Sequence, residues 1–134
     1  MPTAEEGDVR NAVLIVDNVT ESQASTSSLL EAEGYDVSSV SDGDTALKTI
    51  AKSRPAAILF RVLDPPGGAI DFVRRLALSR HVMSVPVVVV TELNEYQVGS
   101  FLDGVPGIRR VVHSPCPPKD MLAAVAQAVQ YSKP

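Results

Sequence analysis

Apolar runs alternate with polar stretches along the whole chain, and the form of the runs changes in a regular way. Ala12–Val16, Ala57–Val62 and Val85–Thr91 are nearly continuous aliphatic runs rich in β-branched residues. Such runs read as strands buried on both faces, where a polar face would have no solvent to meet. Asp36–Val40 and Ile108–His113 read as two further strands. Between the runs, apolar residues fall instead at helical spacing. Ala46, Leu47, Ile50 and Ala51 share one helix face, and Ile70, Val73 and Leu76 another, with Arg74 and Arg75 expected towards solvent. Met121, Leu122, Val125, Ala126 and Val129 mark an amphipathic final helix. A helix from Leu93 to about Leu102 contains Gly99. The first helix, Thr20 to Gly34, is rich in Ser and Thr, so packing through Leu29 and Leu30 must hold it rather than propensity.

Turn and cap residues punctuate these elements. Thr20-Glu21-Ser22-Gln23 has the spacing of a capping box, and Gly34 stands where a helix-ending glycine belongs. Ser41-Asp42-Gly43-Asp44 is a turn and cap, while Pro65-Pro66-Gly67-Gly68, Gly104-Val105-Pro106-Gly107 and Pro115-Cys116-Pro117-Pro118 interrupt regular structure. The resulting (βα)5 pattern predicts a doubly wound α/β fold, a five-stranded parallel sheet with helices on both faces. Sites in such sheets form at the C-terminal strand ends, which here carry Asp17-Asn18, Arg61, Thr91 and His113-Ser114.

The chain length of 134 residues suits one domain, read as residues 10–132 behind a polar, acidic tail over residues 1–9. Net charge is −4 and no basic stripe is present, so direct contact with nucleic acid is not expected. Cys116 is the only cysteine, which excludes an internal disulfide and fits a reducing cytoplasm. No apolar run reaches the ~18–20 residues of a membrane span, and the start lacks a signal-peptide layout. His81, His113 and Cys116 lack metal-ligand spacing. One residue breaks the apolar logic: Arg61, near the end of the strand Ala57–Val62, is a cation that needs a partner.

Taken in order, these landmarks resemble the receiver domain of bacterial two-component response regulators over almost the whole chain. Val13-Leu14-Ile15-Val16-Asp17-Asn18 resembles the first strand and its acidic pair. Glu33-Gly34-Tyr35-Asp36-Val37 and Ser41-Asp42-Gly43-Asp44-Thr45-Ala46-Leu47 resemble the next two landmarks. Pro55 with Ile58-Leu59-Phe60 resembles the strand leading to the phosphoacceptor, Val85–Thr91 the strand ending in a switch hydroxyl, and Ser114-Pro115 a Lys-Pro pair. The resemblance implies a CheY-like, flavodoxin-like sheet of order 2-1-3-4-5. It also implies an acceptor aspartate, an acidic pair that holds Mg²⁺, and a hydroxyl and lysine that meet the phosphate.

Most of that chemistry is replaced here. Asp17 is retained, but Asn18 stands for the second acid, Arg61 for the acceptor, Ser114 for the lysine and Val111 for a common aromatic switch residue; Thr91 is kept. Pro65 lies four residues after Arg61, the family's spacing from acceptor to proline, so Asp64 reads as a loop residue. An intact site of three carboxylates, Mg²⁺ and a lysine sums to zero charge. Asp17 and Arg61 also sum to zero, so the replacements compensate one another. Arg61 is therefore expected to pair with Asp17 through two parallel hydrogen bonds and to abolish Mg²⁺ binding.

The expectation is a non-enzymatic pseudo-receiver, without cofactor, acting in the cytoplasm through a protein partner or as a homodimer. The resemblance suggests a face from the fourth helix, fifth strand and last helix, with Tyr96, Phe101, Arg109, Arg110 and Val111. No membrane or small-molecule partner is expected. The alternatives are a working phosphoacceptor at Asp64 or Asp17, and a flavodoxin-like small-ligand binder. Val19-Thr20-Glu21-Ser22 lacks the glycine of a phosphate loop, which counts against the latter.

Overall fold

A computed structural model describes residues 11–62, 71–72, 74–75, 85–102, 108–114 and 117–131. Five strands, β1 (Ala12–Val16), β2 (Asp36–Val40), β3 (Ala57–Val62), β4 (Val87–Thr91) and β5 (Ile108–His113), form one sheet of order β2-β1-β3-β4-β5. Every neighbouring pair is parallel, which requires a crossover after each strand. The helices are α1 (Thr20–Ala32), α2 (Gly43–Lys52), α3 (helical at residues 71, 72, 74 and 75), α4 (Glu95–Leu102) and α5 (Pro118–Tyr131). The expected tail, the Pro65–Gly68 loop, Asp64, the Gly104–Gly107 turn, Pro115 and Cys116 lie outside the described residues.

The alternation of side chains along each strand splits the core in two. Leu14, Val16, Ile58, Phe60, Val62 and Val89 meet Ala46 and Ile50 of α2, Phe72 of α3 and Val98 of α4. Val13, Ile15, Ala57, Leu59, Val88 and Val90 meet Leu30 of α1 and Met121, Val125 and Val129 of α5. On the first face Phe60 and Phe72 stand edge to face with ring centroids 4.7 Å apart. Arg74 and Arg75 are exposed, and Arg75 pairs with Asp44 in the first turn of α2.

Local chemistry sets the boundaries. β4 begins at Val87 rather than Val85, because Pro86 has no N–H to give a ladder; its carbonyl still accepts from the Ile58 N–H at 3.0 Å. α1 ends as expected: Tyr35 N–H bonds the Leu30 carbonyl at 3.2 Å, Gly34 N–H bonds the Glu31 carbonyl at 3.0 Å, and Gly34 has φ +94°. Asp42 caps α2, its carboxylate accepting from Thr45 N–H at 2.7 Å. α4 begins at Glu95 rather than Leu93. A capping box fixes that start: Asn94 Oδ1 accepts from Gln97 N–H at 2.8 Å, and Gln97 Oε1 accepts from Asn94 N–H at 3.0 Å. No described helix is long and apolar enough to cross a membrane.

Two glycines give opposite predictions. A Cβ at either Gly34 or Gly99 meets no atom within 4 Å, so backbone conformation alone decides the outcome. Gly34→Ala forces an L-residue to positive φ and is expected to cost about 1–2 kcal/mol. Gly99→Ala, inside α4, is expected to stabilise by about 0.5–1 kcal/mol. Urea unfolding midpoints of the two variants check both signs. The Thr45 backbone N–H bonded to Asp42 holds that carboxyl below the usual carboxylate range. A depressed native pKa stabilises above the unfolded value and is lost as pH falls through the native one. Asp42→Ala should therefore flatten the acid limb of a stability–pH curve and leave neutral-to-alkaline slopes unchanged.

Candidate functional site

Parallel register places two oppositely charged residues of the sheet's C-terminal rim side by side. β1 and β3 align Val13 with Ala57 and Val16 with Phe60, so one further step sets Asp17 beside Arg61. Both side chains have the parity of Ile15 and Leu59 and emerge on the face covered by α1 and α5. Arg61 Nε donates to Asp17 Oδ2 at 3.2 Å. The carboxylate side chain is 2% exposed and the arginine side chain 20% exposed, so the acid is buried and the cation spans the rim. The contact is one hydrogen bond and not the expected parallel pair.

The reason lies in what else holds Asp17. Val19 N–H donates to Oδ1 at 2.9 Å, and the Ser22 hydroxyl donates to Oδ2 at 2.5 Å. Arg61 and Ser22 thus share Oδ2, while the chain's own backbone holds Oδ1. Gln23 Nε2 reaches the Asp17 carbonyl at 2.9 Å and the Val40 carbonyl at 3.1 Å, while Asp17 N–H bonds Val40 at 3.0 Å. The capping box expected at Thr20–Gln23 is therefore not formed. The N-cap is Val19, which has no side-chain cap, and Ser22 and Gln23 serve Asp17 and the β1–β2 rim instead. The role of Gln23 was hidden in the sequence because, with Thr20, it fits a local helix-start pattern, and that of Ser22 carries no local signal.

The other expected pocket residues are placed differently. Thr91 is fully buried on the opposite face of the sheet, and its register partner is Val62. Its hydroxyl donates to the Val62 carbonyl at 2.8 Å and accepts from Leu93 N–H at 3.1 Å. Asn18 is exposed, and Ser114 is half-buried with its N–H on the Thr91 carbonyl at 2.7 Å. Pro115 lies outside the described residues. A cavity of about 10 Å³ beside the pair is lined by Asp17, Arg61, Thr26, Ile15, Val90 and Met121 among others, room for about one water molecule.

Of the expected interaction face, Tyr96, Arg110 and Val111 have described side chains. Tyr96 on α4 is 86% exposed. Arg110 Nη1 donates to Gln127 Oε1 on α5 at 2.8 Å, and Val111 turns inward against the core. Phe101 and Arg109 belong to α4 and β5, but their side chains lie outside the described set. Arg109 is the extra residue where the β4–β5 register steps from Val87↔Ile108 to Val88↔Arg110.

A divalent cation of the Mg²⁺ type takes several oxygen ligands, preferably carboxylates. Asp17 offers oxygens already bonded by an N–H, a hydroxyl and a guanidinium, and the neighbouring charge is positive. Among the described residues no group of three His, Cys, Asp or Glu could hold a metal. The donor set does not fit that ion.

Residues 13–126 match the response regulator receiver domain family, and the chain belongs to it. Among curated relatives, the response regulator PleD of Caulobacter vibrioides is 33% identical over 82 residues, 61% of this chain and 18% of PleD. The DNA-binding response regulator MtrA of Mycolicibacterium smegmatis is 29% identical over 117 residues, 87% of this chain and 50% of MtrA. The chain thus spans half or less of these relatives' lengths. The signal receiver domain of a signal transduction histidine kinase from Syntrophus aciditrophicus superposes with TM-score 0.78 at 23% identity, covering 90% of each chain. The receiver domain of a sensor histidine kinase from Pseudomonas aeruginosa, which holds a magnesium ion in its active site cleft, superposes with TM-score 0.79 at 18% identity, covering 90% of this chain and 98% of that one. These likenesses show the fold. The chain is a receiver domain of the two-component signalling type.

Removing the cation strands a buried carboxylate. Arg61→Met, which keeps an apolar stem, is expected to cost about 2–4 kcal/mol, towards the low side because Val19 and Ser22 still serve Asp17. In a double-mutant cycle with Asp17→Asn, urea unfolding should return a coupling of about 1–2 kcal/mol. Independent losses would mean that the contact carries no energy.

Proposed function

We propose that this receiver domain does not accept a phosphoryl group and works as a constitutive protein-interaction module in a signalling pathway. One observation carries the reading. At the rim of β3, beside the retained acid, stands a guanidinium whose Nε is 3.2 Å from Asp17 Oδ2. An arginine is always protonated and offers no lone pair for attack on phosphorus. Asp17 itself is a poor nucleophile, because both its oxygens accept hydrogen bonds and its charge is neutralised. Mg²⁺ binding is lost with the second acid and the acceptor. The domain is then no enzyme and needs no cofactor; its partner is a protein, met through the face of α4, β5 and α5, and a second copy of the chain is one such partner. The cytoplasm, where receiver partners work, is the compartment this reading requires.

Intact mass after incubation with acetyl phosphate and Mg²⁺ tests the central point. No phosphoryl adduct is expected; a stoichiometric adduct at Asp17 or Asp64 would overturn the reading. A charge reversal supplies a positive control. Arg61→Asp sets two carboxylates together, so its melting temperature should fall, and millimolar Mg²⁺ should raise it again. The unaltered protein is expected to melt at the same temperature with and without Mg²⁺.

A further inference from the structure

A second knot of polar contacts lies on the same rim, at the other side of the sheet. Both backbone polar groups of Leu93, in the segment joining β4 to α4, are held by side chains. Its N–H donates to Thr91 Oγ1 at 3.1 Å, and its carbonyl lies 3.0 Å from His113 Nδ1. A carbonyl can only accept, so His113 must carry its proton on Nδ1. Thr91 is fixed in turn, because its hydroxyl proton goes to Val62 at 2.8 Å and its carbonyl accepts from Ser114 at 2.7 Å. The Leu93 side chain is 3% exposed and packs in the core with Val98 of α4. The next residue, Asn94, closes the capping box that starts α4. Three strands therefore converge on one connecting segment: β3 through Val62, β4 through Thr91 and β5 through His113.

We infer that Thr91 and His113 form a clamp on Leu93 that fixes the entry into α4, and with it the position of Tyr96, without any covalent modification. Connecting segments with exposed backbone usually open at little cost, and a backbone held at N–H and C=O together does not. The clamp rests on the reading of the chain as a constitutive interaction module and supplies its physical means. A hydroxyl whose one proton goes to the Val62 carbonyl has none left to donate to an anion at the rim.

Imidazole nitrogen NMR of the full chain, above the ordinary histidine titration range, tests the clamp directly. The Nδ1–H tautomer is expected for His113; the Nε2–H tautomer overturns the inference. Amide hydrogen exchange gives a second readout. Thr91→Val should speed exchange at Leu93 by about tenfold or more, Thr91→Ser should keep the protection, and His113→Phe should speed exchange at Leu93 while Ile15 and Leu59 stay unchanged. Unaltered Leu93 exchange in both Thr91→Val and His113→Phe contradicts the clamp. If Thr91→Val fails to fold, the tautomer and the His113→Phe exchange still decide. Failure here is separable from failure of the proposed function: a phosphoryl adduct with His113 in the Nδ1–H form removes that reading alone, and an Nε2–H form with no adduct removes the clamp alone.

Discussion

A carboxylate taken out of water must be paid in hydrogen bonds and charge, and the rim of this sheet is arranged around meeting that demand for Asp17. Its side chain is 2% exposed and has three donors of different origin. The backbone of the β1–α1 turn gives an N–H, the first turn of α1 gives the Ser22 hydroxyl, and β3 gives the Arg61 guanidinium. Each donor ties a different element to the end of β1. Gln23 adds the edge strand, through the Val40 carbonyl. The polar contacts at this corner therefore organise β2, β1, β3 and α1 together, and the packing beneath them is apolar on both faces.

The same constraint bears on chemistry. A receiver that binds a cation needs carboxylate oxygens that are free to turn towards it, and a site that accepts a phosphoryl group needs an unprotonated oxygen in line with phosphorus. Replacing a carboxylate at the end of β3 by an arginine substitutes a tethered monovalent cation for a diffusible divalent one. Local neutrality is kept, and on the proposed reading reactivity is not. The sheet needs no change for this, since the parallel register already sets residue 61 beside residue 17. The hydroxyl of Thr91 completes the picture from the other side of the sheet, where it holds backbone instead of facing the rim.

Much of this was legible in the sequence, and the parts that were not share a cause. Three strands followed from near-continuous aliphatic runs, the order of the sheet followed from the resemblance of the landmarks, and Gly34 and Asp42 were readable because a cap depends on residues close in sequence. The pairing of Asp17 with Arg61 was legible because an isolated cation at the end of an apolar strand demands an acid, and the resemblance sets Asp17 in the same pocket as its one retained acid. Gln23 was misread and Ser22 missed, since the capping-box spacing of Thr20 and Gln23 is local while the acceptors Gln23 serves are up to 17 residues away. Leu93 was assigned to a helix because apolar spacing cannot reveal that Thr91 and His113 hold its backbone. The extra residue at Arg109 leaves no mark in composition, because a bulge is a property of the pair of strands.

The central claim is that the Arg61 guanidinium stands where a metal ion and a phosphoacceptor would otherwise act. The most direct measurement is an amide NMR titration of the ¹⁵N-labelled chain with MgCl₂, matched in ionic strength by NaCl. The account predicts that the amides of Asp17, Asn18, Val19 and Val62 move no more with Mg²⁺ than with sodium. Saturable shifts confined to those amides would contradict it.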